Sequence, residues 1–277
     1  VLWRRIQKLE EELGEPLLQR RARGVAPTEA GQRVYEEALA LLAARDRLLA
    51  SFQEREDLRS GEVTFGAIPT IAPYLLGRLL APFRAEFPRV QIRVREAQTV
   101  DLIRMVVDEE VDFAVVSDIR ATDRKRWSLY VKTVFQEPIL LAVPRSHELA
   151  RSKQGTLQPA DIPREQLLFL GEGHCLREQT LKVCRTRKPD EAFQCEQLPT
   201  VQTLVAAGLG IAFVPAMFVA DHPVAGVSYL RLRAPQPLRA INVMKRRGRK
   251  LSPPAESLFR QILEFDPESG PGGGGVQ

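Results

Sequence analysis

Apolar positions along the chain recur first with a helical period and then with an alternating one. Leu2, Ile6, Leu9 and Leu13 fall at three- and four-residue steps, which predicts a helix with one apolar face, stopped at Gly14. Arg4, Arg5 and Lys8 share its opposite face. A basic run, Gln19-Arg20-Arg21-Ala22-Arg23, closes on Gly24 and predicts a tight, positively charged hairpin. Thr28 is placed to cap the next helix, with Glu29 in its first turn. The stretch from Gln32 to about Leu58 lacks proline and glycine. Val34, Ala38, Leu41, Leu48 and Phe52 form a heptad-like seam on it, interrupted by Arg45. Such a seam predicts a long helix that pairs with a second copy.

From Gly61 the pattern becomes strands alternating with helices. Val63–Ile68, Val90–Arg95, Val111–Val116 and Pro138–Val143 read as strands; Tyr74–Phe87 and Thr99–Asp108 read as helices. The succession predicts an α/β fold with parallel strands and helices on both faces. The strand from Pro138 is expected to cross into a second lobe, and Leu238–Arg246 to return to the first. Two lobes joined in this way leave a cleft where ligands bind at strand ends.

The chain has 277 residues, 44% of them hydrophobic, and a formal charge of +5; these values allow a sizeable core and permit, without requiring, a nucleic-acid partner. No apolar run approaches a membrane span. Three cysteines do not form a disulfide scaffold and fit a reducing cytosol. Val1 falls inside the first helical pattern with no signal-peptide pattern, so the natural N-terminus is expected to lie upstream. The glycine run Gly272–Gly275 predicts a disordered tail over 269–277. No Cys-x-x-Cys, zinc-spaced histidine cluster, Walker motif, dinucleotide glycine motif or Gly-x-Ser-x-Gly elbow is present. Neither metal nor cofactor is expected, and enzyme chemistry has no motif to rest on.

The densest candidate chemistry is Gly173-His174-Cys175-Leu176-Arg177-Glu178, followed by Cys184 nine positions after Cys175. Thiols react as thiolates, and cations stabilise that form, so His174 and Arg177 are expected to lower the pKa of Cys175. Cys184 then reads as a resolving thiol. The pair reads equally well as two half-buried cysteines sharing a helix. If the segment is helical, the two Cα atoms stand roughly 13 Å apart. A disulfide needs them within about 7 Å, so linkage requires unwinding. The basic run Lys245–Lys250 is expected to be a solvated loop, and Cys195 structural.

Ile6 to Leu18, then Thr28-Glu29-Ala30-Gly31, resemble the LysR-type transcriptional regulators. The resemblance implies the end of a recognition helix and a wing (1–31) and a dimerising linker helix (32–60). An effector domain over 61–268 follows, two-lobed and periplasmic-binding-protein-like. Lobe I is expected at about 61–135 and 237–268, and lobe II at about 136–236. The first helices of the DNA-binding domain would precede Val1. Arg4, Arg5, Lys8, Arg20, Arg21 and Arg23 become candidate DNA contacts. Trp3 stands where the family usually carries a small polar residue facing DNA.

Ile68–Leu76, Glu96–Thr99, Gln136–Ala142 and Gly173–Cys184 are similar to the peroxide-responsive regulators of that family. The resemblance implies Cys175 and Cys184 as the redox pair, with His174 and Arg177 beside it. It also implies Thr70 and Thr99 as peroxide-holding residues, and Glu178 where aspartate is usual. The implied partners are promoter DNA, further copies of the chain as dimer or tetramer, RNA polymerase, and hydrogen peroxide; the implied location is cytoplasmic. The alternative is a regulator of the same architecture with a small-molecule metabolite in the interlobe cleft and incidental cysteines. A stand-alone binding protein or enzyme with the two-lobed fold is disfavoured by the N-terminal helix and wing.

Overall fold

The computed structural model describes residues 2–21, 24–53, 60–153, 155–184 and 194–267. Arg23 and the glycine tail lie outside the described residues, as do the side chains of Trp3, Arg20, Arg21, Leu48 and Phe52. The chain divides into two compact units, Val1–Leu58 and Arg59–Gln277.

In the first unit, α1 (Leu2–Leu13) ends as Gly14 takes φ +74° and its amide donates to the Glu10 carbonyl at 2.9 Å. That is the left-handed stop glycine supplies at least cost. The predicted hairpin is β1 (Leu18–Arg21) antiparallel to β2 (Gly24–Pro27). Thr28 caps α2 (Glu29–Gln53): its hydroxyl accepts from the Gly31 amide at 2.9 Å and donates to the Pro16 carbonyl at 2.7 Å. Gly31 packs so close to the Leu17 carbonyl that a Cβ there would clash. Glu10 joins helix to hairpin, its carboxylate accepting from the Leu17 and Leu18 amides at 2.7 and 3.1 Å. The expected apolar face of α1 is covered only in part: Ile6 is half-buried, and Leu13 is 51% exposed. On α2, Val34 is half-buried, and Leu41 is 70% exposed.

The second unit is built on one long strand. Parallel β3 (Ser60–Ala67) lies between β4 (Arg89–Glu96) and β5 (Phe113–Val116). β11 (Leu238–Arg246) joins β5 antiparallel, and β6 (Leu129–Pro144) joins β11 antiparallel. The sheet is therefore mixed rather than all-parallel, because β6 and β11 are crossing strands instead of steps in a βαβ series. The first part of β6, Leu129–Pro138, pairs with β11; its remainder pairs with β9 (Ala212–Pro215) and β10 (Val227–Leu230).

Each part of β6 serves a different core. One contains Val63, Phe65, Leu75, Leu79, Phe83, Phe113 and Phe259, and is lobe I. The other contains Leu141, Val143, Leu170, Leu176, Val205, Phe213 and Phe218, and is lobe II. Burying each such side chain contributes about 1.5–3 kcal/mol before entropy. Phe135, on β6, packs against both cores. Tyr74 belongs by sequence to α3 (Ala72–Glu86) of lobe I, yet it sits in the lobe II core. Its ring lies 5.4 Å from Phe218 and 5.6 Å from His222, residues at α8 (Ala216–Asp221) and its C-cap.

Candidate functional site: a helix bridging two lobes

Cys175 opens α6 (Cys175–Cys184) on lobe II, facing the N-terminus of α4 (Thr99–Val107) on lobe I. The loop before α6 approaches closely because Gly173 takes φ +86° and leaves no Cβ to strike Gln98. Gln98 donates from Nε2 to the Glu172 carbonyl at 3.0 Å. This approach brings the Thr99 hydroxyl within 3.0 Å of Cys175 Sγ. Thr99 is buried and Cys175 half-buried. Burial pushes the Cys175 thiol above the ordinary thiol value; the Thr99 hydrogen bond opposes this, Asp118 adds to it, and Arg239 opposes it.

The expected activators face elsewhere. His174 Nε2 lies 3.3 Å from a carboxylate oxygen of exposed Glu196, which follows β8 (Gln194–Cys195). Arg177 donates to the Leu170 carbonyl at 3.1 Å, with its guanidinium 5.7 Å from the Phe169 ring centre. Phe169–Leu170 is β7, the parallel partner of β8. His174 and Arg177 therefore clamp the start of α6 onto the β7–β8 ribbon. Their sequence adjacency to Cys175 does not bring their charges to its sulfur, because successive helical side chains leave in different directions. Glu178 is exposed, and its charge reaches Arg120 of lobe I.

The cation whose charge reaches the thiol is Arg239, which sequence reasoning missed. It is fully buried on β11. Its Nε donates to Glu137 at 2.7 Å, and its two Nη atoms donate to the Thr70 hydroxyl and carbonyl at 3.2 and 3.0 Å. The second Glu137 oxygen accepts from the Met217 amide at 2.8 Å. Thr70 is thus held by Arg239 rather than hydrogen-bonded to Cys175. The available signal was a lone arginine and a lone glutamate at the edges of apolar strand runs, a setting in which buried charges must pair.

A second missed group is Gln179. Its amide nitrogen donates to Ser117 Oγ at 3.0 Å and to Asp118 at 2.9 Å, both at the end of β5 in lobe I. Its amide oxygen is buried without a hydrogen-bond partner. Ser117 in turn donates to the Ala240 carbonyl at 3.1 Å. The N-terminal half of α6 is thereby tied to lobe I at Thr99, Ser117 and Asp118.

Cys184 closes the same helix inside the lobe II core, with its thiol pushed up to about 11 by burial against a smaller opposing effect of Arg164. All three cysteines are free thiols. The unbroken helix sets the Cys175 and Cys184 Cα atoms roughly 13 Å apart, beyond disulfide reach. Cys195 is buried in β8, its thiol raised by burial and by Glu196. In the first unit, Arg4, Arg5 and Lys8 are exposed on α1, and Lys8 pairs with Glu12 at 3.8 Å. Arg20 and Arg21 lie on β1. Among the described residues no cluster of three or more His, Cys, Asp or Glu is placed to hold a metal, and no helix is long and apolar enough to cross a membrane.

A winged unit joined in sequence to a two-lobed α/β effector domain defines a class of DNA-binding transcriptional regulators. Residues 56–266 match the LysR substrate binding domain, and residues 1–32 match the bacterial regulatory helix-turn-helix protein of the lysR family. The chain belongs to the LysR family. Among its relatives is the hydrogen peroxide-inducible genes activator of Pectobacterium carotovorum subsp. carotovorum. The two are 33% identical over 262 residues, covering 94% of this chain and 85% of the relative. The DNA-binding transcriptional dual regulator OxyR of Escherichia coli K12 is 32% identical over 262 residues, with 94% and 83% covered. The crystal structure of the reduced form of OxyR matches with a TM-score of 0.65 at 30% identity, over 77% of this chain and 98% of that one.

Proposed function

We propose that this regulator senses hydrogen peroxide by a reversible Cys175–Cys184 disulfide. The observation that carries the reading is the Thr99 hydroxyl 3.0 Å from Cys175 Sγ in a site walled by both lobes, with a second thiol on the same helix. The Cys175 thiolate attacks one peroxide oxygen and the O–O bond breaks. Sulfur is oxidised to sulfenic acid, and the other oxygen leaves as hydroxide and is protonated to water. Cys184, deprotonated, attacks the sulfenic sulfur, the S–S bond forms, and a second water departs. Thr99 stabilises the anion by donating its hydrogen bond. Thr70, fixed by Arg239, completes the polar wall, and His174, Arg177 and Glu178 hold the start of the helix.

Because the helix must unwind for the sulfurs to meet, the contacts of Gln179 with lobe I break as the bond forms. Oxidation is thereby coupled to interlobe geometry. The output is promoter binding by a cytoplasmic oligomer that pairs through α2 and acts on RNA polymerase. Changing Leu41 and Leu48 to glutamate should shift the chain toward monomer in analytical ultracentrifugation.

The test is non-reducing peptide mapping after stoichiometric peroxide. Wild type should yield a Cys175–Cys184 linkage with Cys195 free, and Cys184→Ser should trap sulfenic acid at Cys175. The raised thiol of Cys175 favours a second reading, in which the cleft binds a small-molecule metabolite and the cysteines are incidental. Absence of any linkage would overturn the first reading and leave the second as the leading account.

A further inference from the structure

Lobe I carries a basic surface that the sequence divides into two distant segments. One is the end of α5 (Ala121–Arg126), with Arg124, Lys125 and Arg126; the other is the end of β11, with Lys245 and Arg246, and the turn after it, with Arg247, Arg249 and Lys250. The antiparallel β6–β11 register sets Leu129 opposite Arg246 and Tyr130 opposite Lys245. The Arg247 amide extends the ladder by donating to the Ser128 carbonyl at 2.9 Å. Neighbouring strands lie about 5 Å apart, so the two cationic segments form one surface.

Local carboxylates neutralise only part of it. Arg246 pairs with Glu109 at 3.3 Å, Arg249 with Asp112 at 2.9 Å, Lys245 with Glu256 at 3.7 Å, and Arg120 with Asp123 at 2.7 Å. Arg124, Lys125, Arg126, Arg247 and Lys250 are exposed and have no ion pair among the described residues. Arg126 rests on the Trp127 ring at 5.0 Å from its centre. Asp108 and Glu110, exposed beside Glu109, border the patch on one side.

We infer that this surface is a second DNA contact, taking the phosphodiester backbone of duplex DNA in addition to the contacts made by the wing. The inference rests on the family's DNA binding and not on the peroxide reading. Phosphate recognition needs clustered, solvent-accessible cations, and the patch presents five that are exposed. A protein interface draws on buried aromatic and apolar residues and is depleted in lysine, whereas here cations outnumber the two aromatic groups at this edge, half-buried Trp127 and exposed Tyr130.

The test measures affinity for a long random-sequence duplex as a function of salt, using wild type and the variant Arg124→Gln, Lys125→Gln, Arg247→Gln, Lys250→Gln. All four positions are exposed, so the fold is spared. Each phosphate contact contributes about 0.9 to the slope of log affinity against log salt, so the variant should lose roughly three to four units. Exchanging arginine and lysine at the same positions should restore the slope. A slope unchanged in the glutamine variant overturns the inference, as does loss of binding to polyglutamate with DNA binding unaltered, which would mark an acidic protein partner. A wing variant, Arg20→Gln with Arg21→Gln, separates the failures. If it flattens the slope and the patch variant does not, DNA binding stands and the patch falls; if wild type shows no salt-dependent binding, both fall.

Discussion

The two ends of α6 belong to one helix yet live under different physics. At the Cys175 end, hydrogen bonds from both lobes converge: Thr99 on the sulfur, Gln98 on the preceding loop, His174 and Arg177 on the β7–β8 ribbon, and Gln179 on Ser117 and Asp118. At the Cys184 end the thiol is packed in the apolar core of lobe II, and burial alone dominates its ionisation. Burial raises both thiols; at the Cys175 end the Thr99 hydrogen bond and the Arg239 charge oppose it, whereas at the Cys184 end only Arg164 does. The proposed sensing, oxidation at one end and resolution at the other, draws on this difference.

The sharpest break of this contrast is chemical. Cys175→Ser should abolish peroxide-driven linkage and leave Cys184 unmodified, as read by non-reducing peptide mapping. If Cys184 instead oxidises at the wild-type rate, the two ends do not differ in the way described.

The next effect concerns the cation beneath the polar end. Arg239→Met leaves Glu137 charged, buried and without its partner, which should cost about 3–5 kcal/mol in denaturant unfolding. Adding Glu137→Leu should recover most of the loss. A double variant as unstable as the single one would show that the pair matters through packing rather than charge.

The lobe I tie comes next. Gln179→Leu removes two hydrogen bonds, one to a charged acceptor, and should cost about 1–3 kcal/mol. It should also speed alkylation of Cys184 in the reduced protein, because α6 opens more readily. Unchanged Cys184 protection would mean that lobe II alone holds the helix.

The apolar end has the smallest signature, in pH. The folded-state value of Cys184, about 11, stands above the ordinary thiol value, so the folded chain binds the proton more tightly than the unfolded one. The resulting stability is fully present below the ordinary thiol value and is lost as pH rises through about 11. The slope should be at most about 1.4 kcal/mol per pH unit in that window. Comparing wild type with Cys184→Ala by denaturant midpoints across alkaline pH isolates this term; equal curves would remove it.

Much of the fold was legible because periodicity and caps are local. The steps of Leu2, Ile6, Leu9 and Leu13, the stop at Gly14 and the cap at Thr28 all follow from short-range backbone requirements. The strands around Val63–Ala67 and Phe113–Val116 follow from apolar runs that must be buried. The first half of β6 was less legible, since Lys132, Thr133, Gln136 and Glu137 break its apolar run; its place is settled by pairing with β11.

What the chain alone determined is therefore the order of elements, the family motif and the nine-residue spacing of two thiols on one helix. Only the tertiary structure decided where the long polar side chains point. It turned His174 and Arg177 toward the ribbon, brought Arg239 to Thr70 across 169 residues of sequence, and set Tyr74 of one lobe into the core of the other. The physical reason is range. Backbone hydrogen bonding and apolar period are satisfied within a few residues, whereas a buried charge or amide takes whatever partner the packing of distant elements supplies.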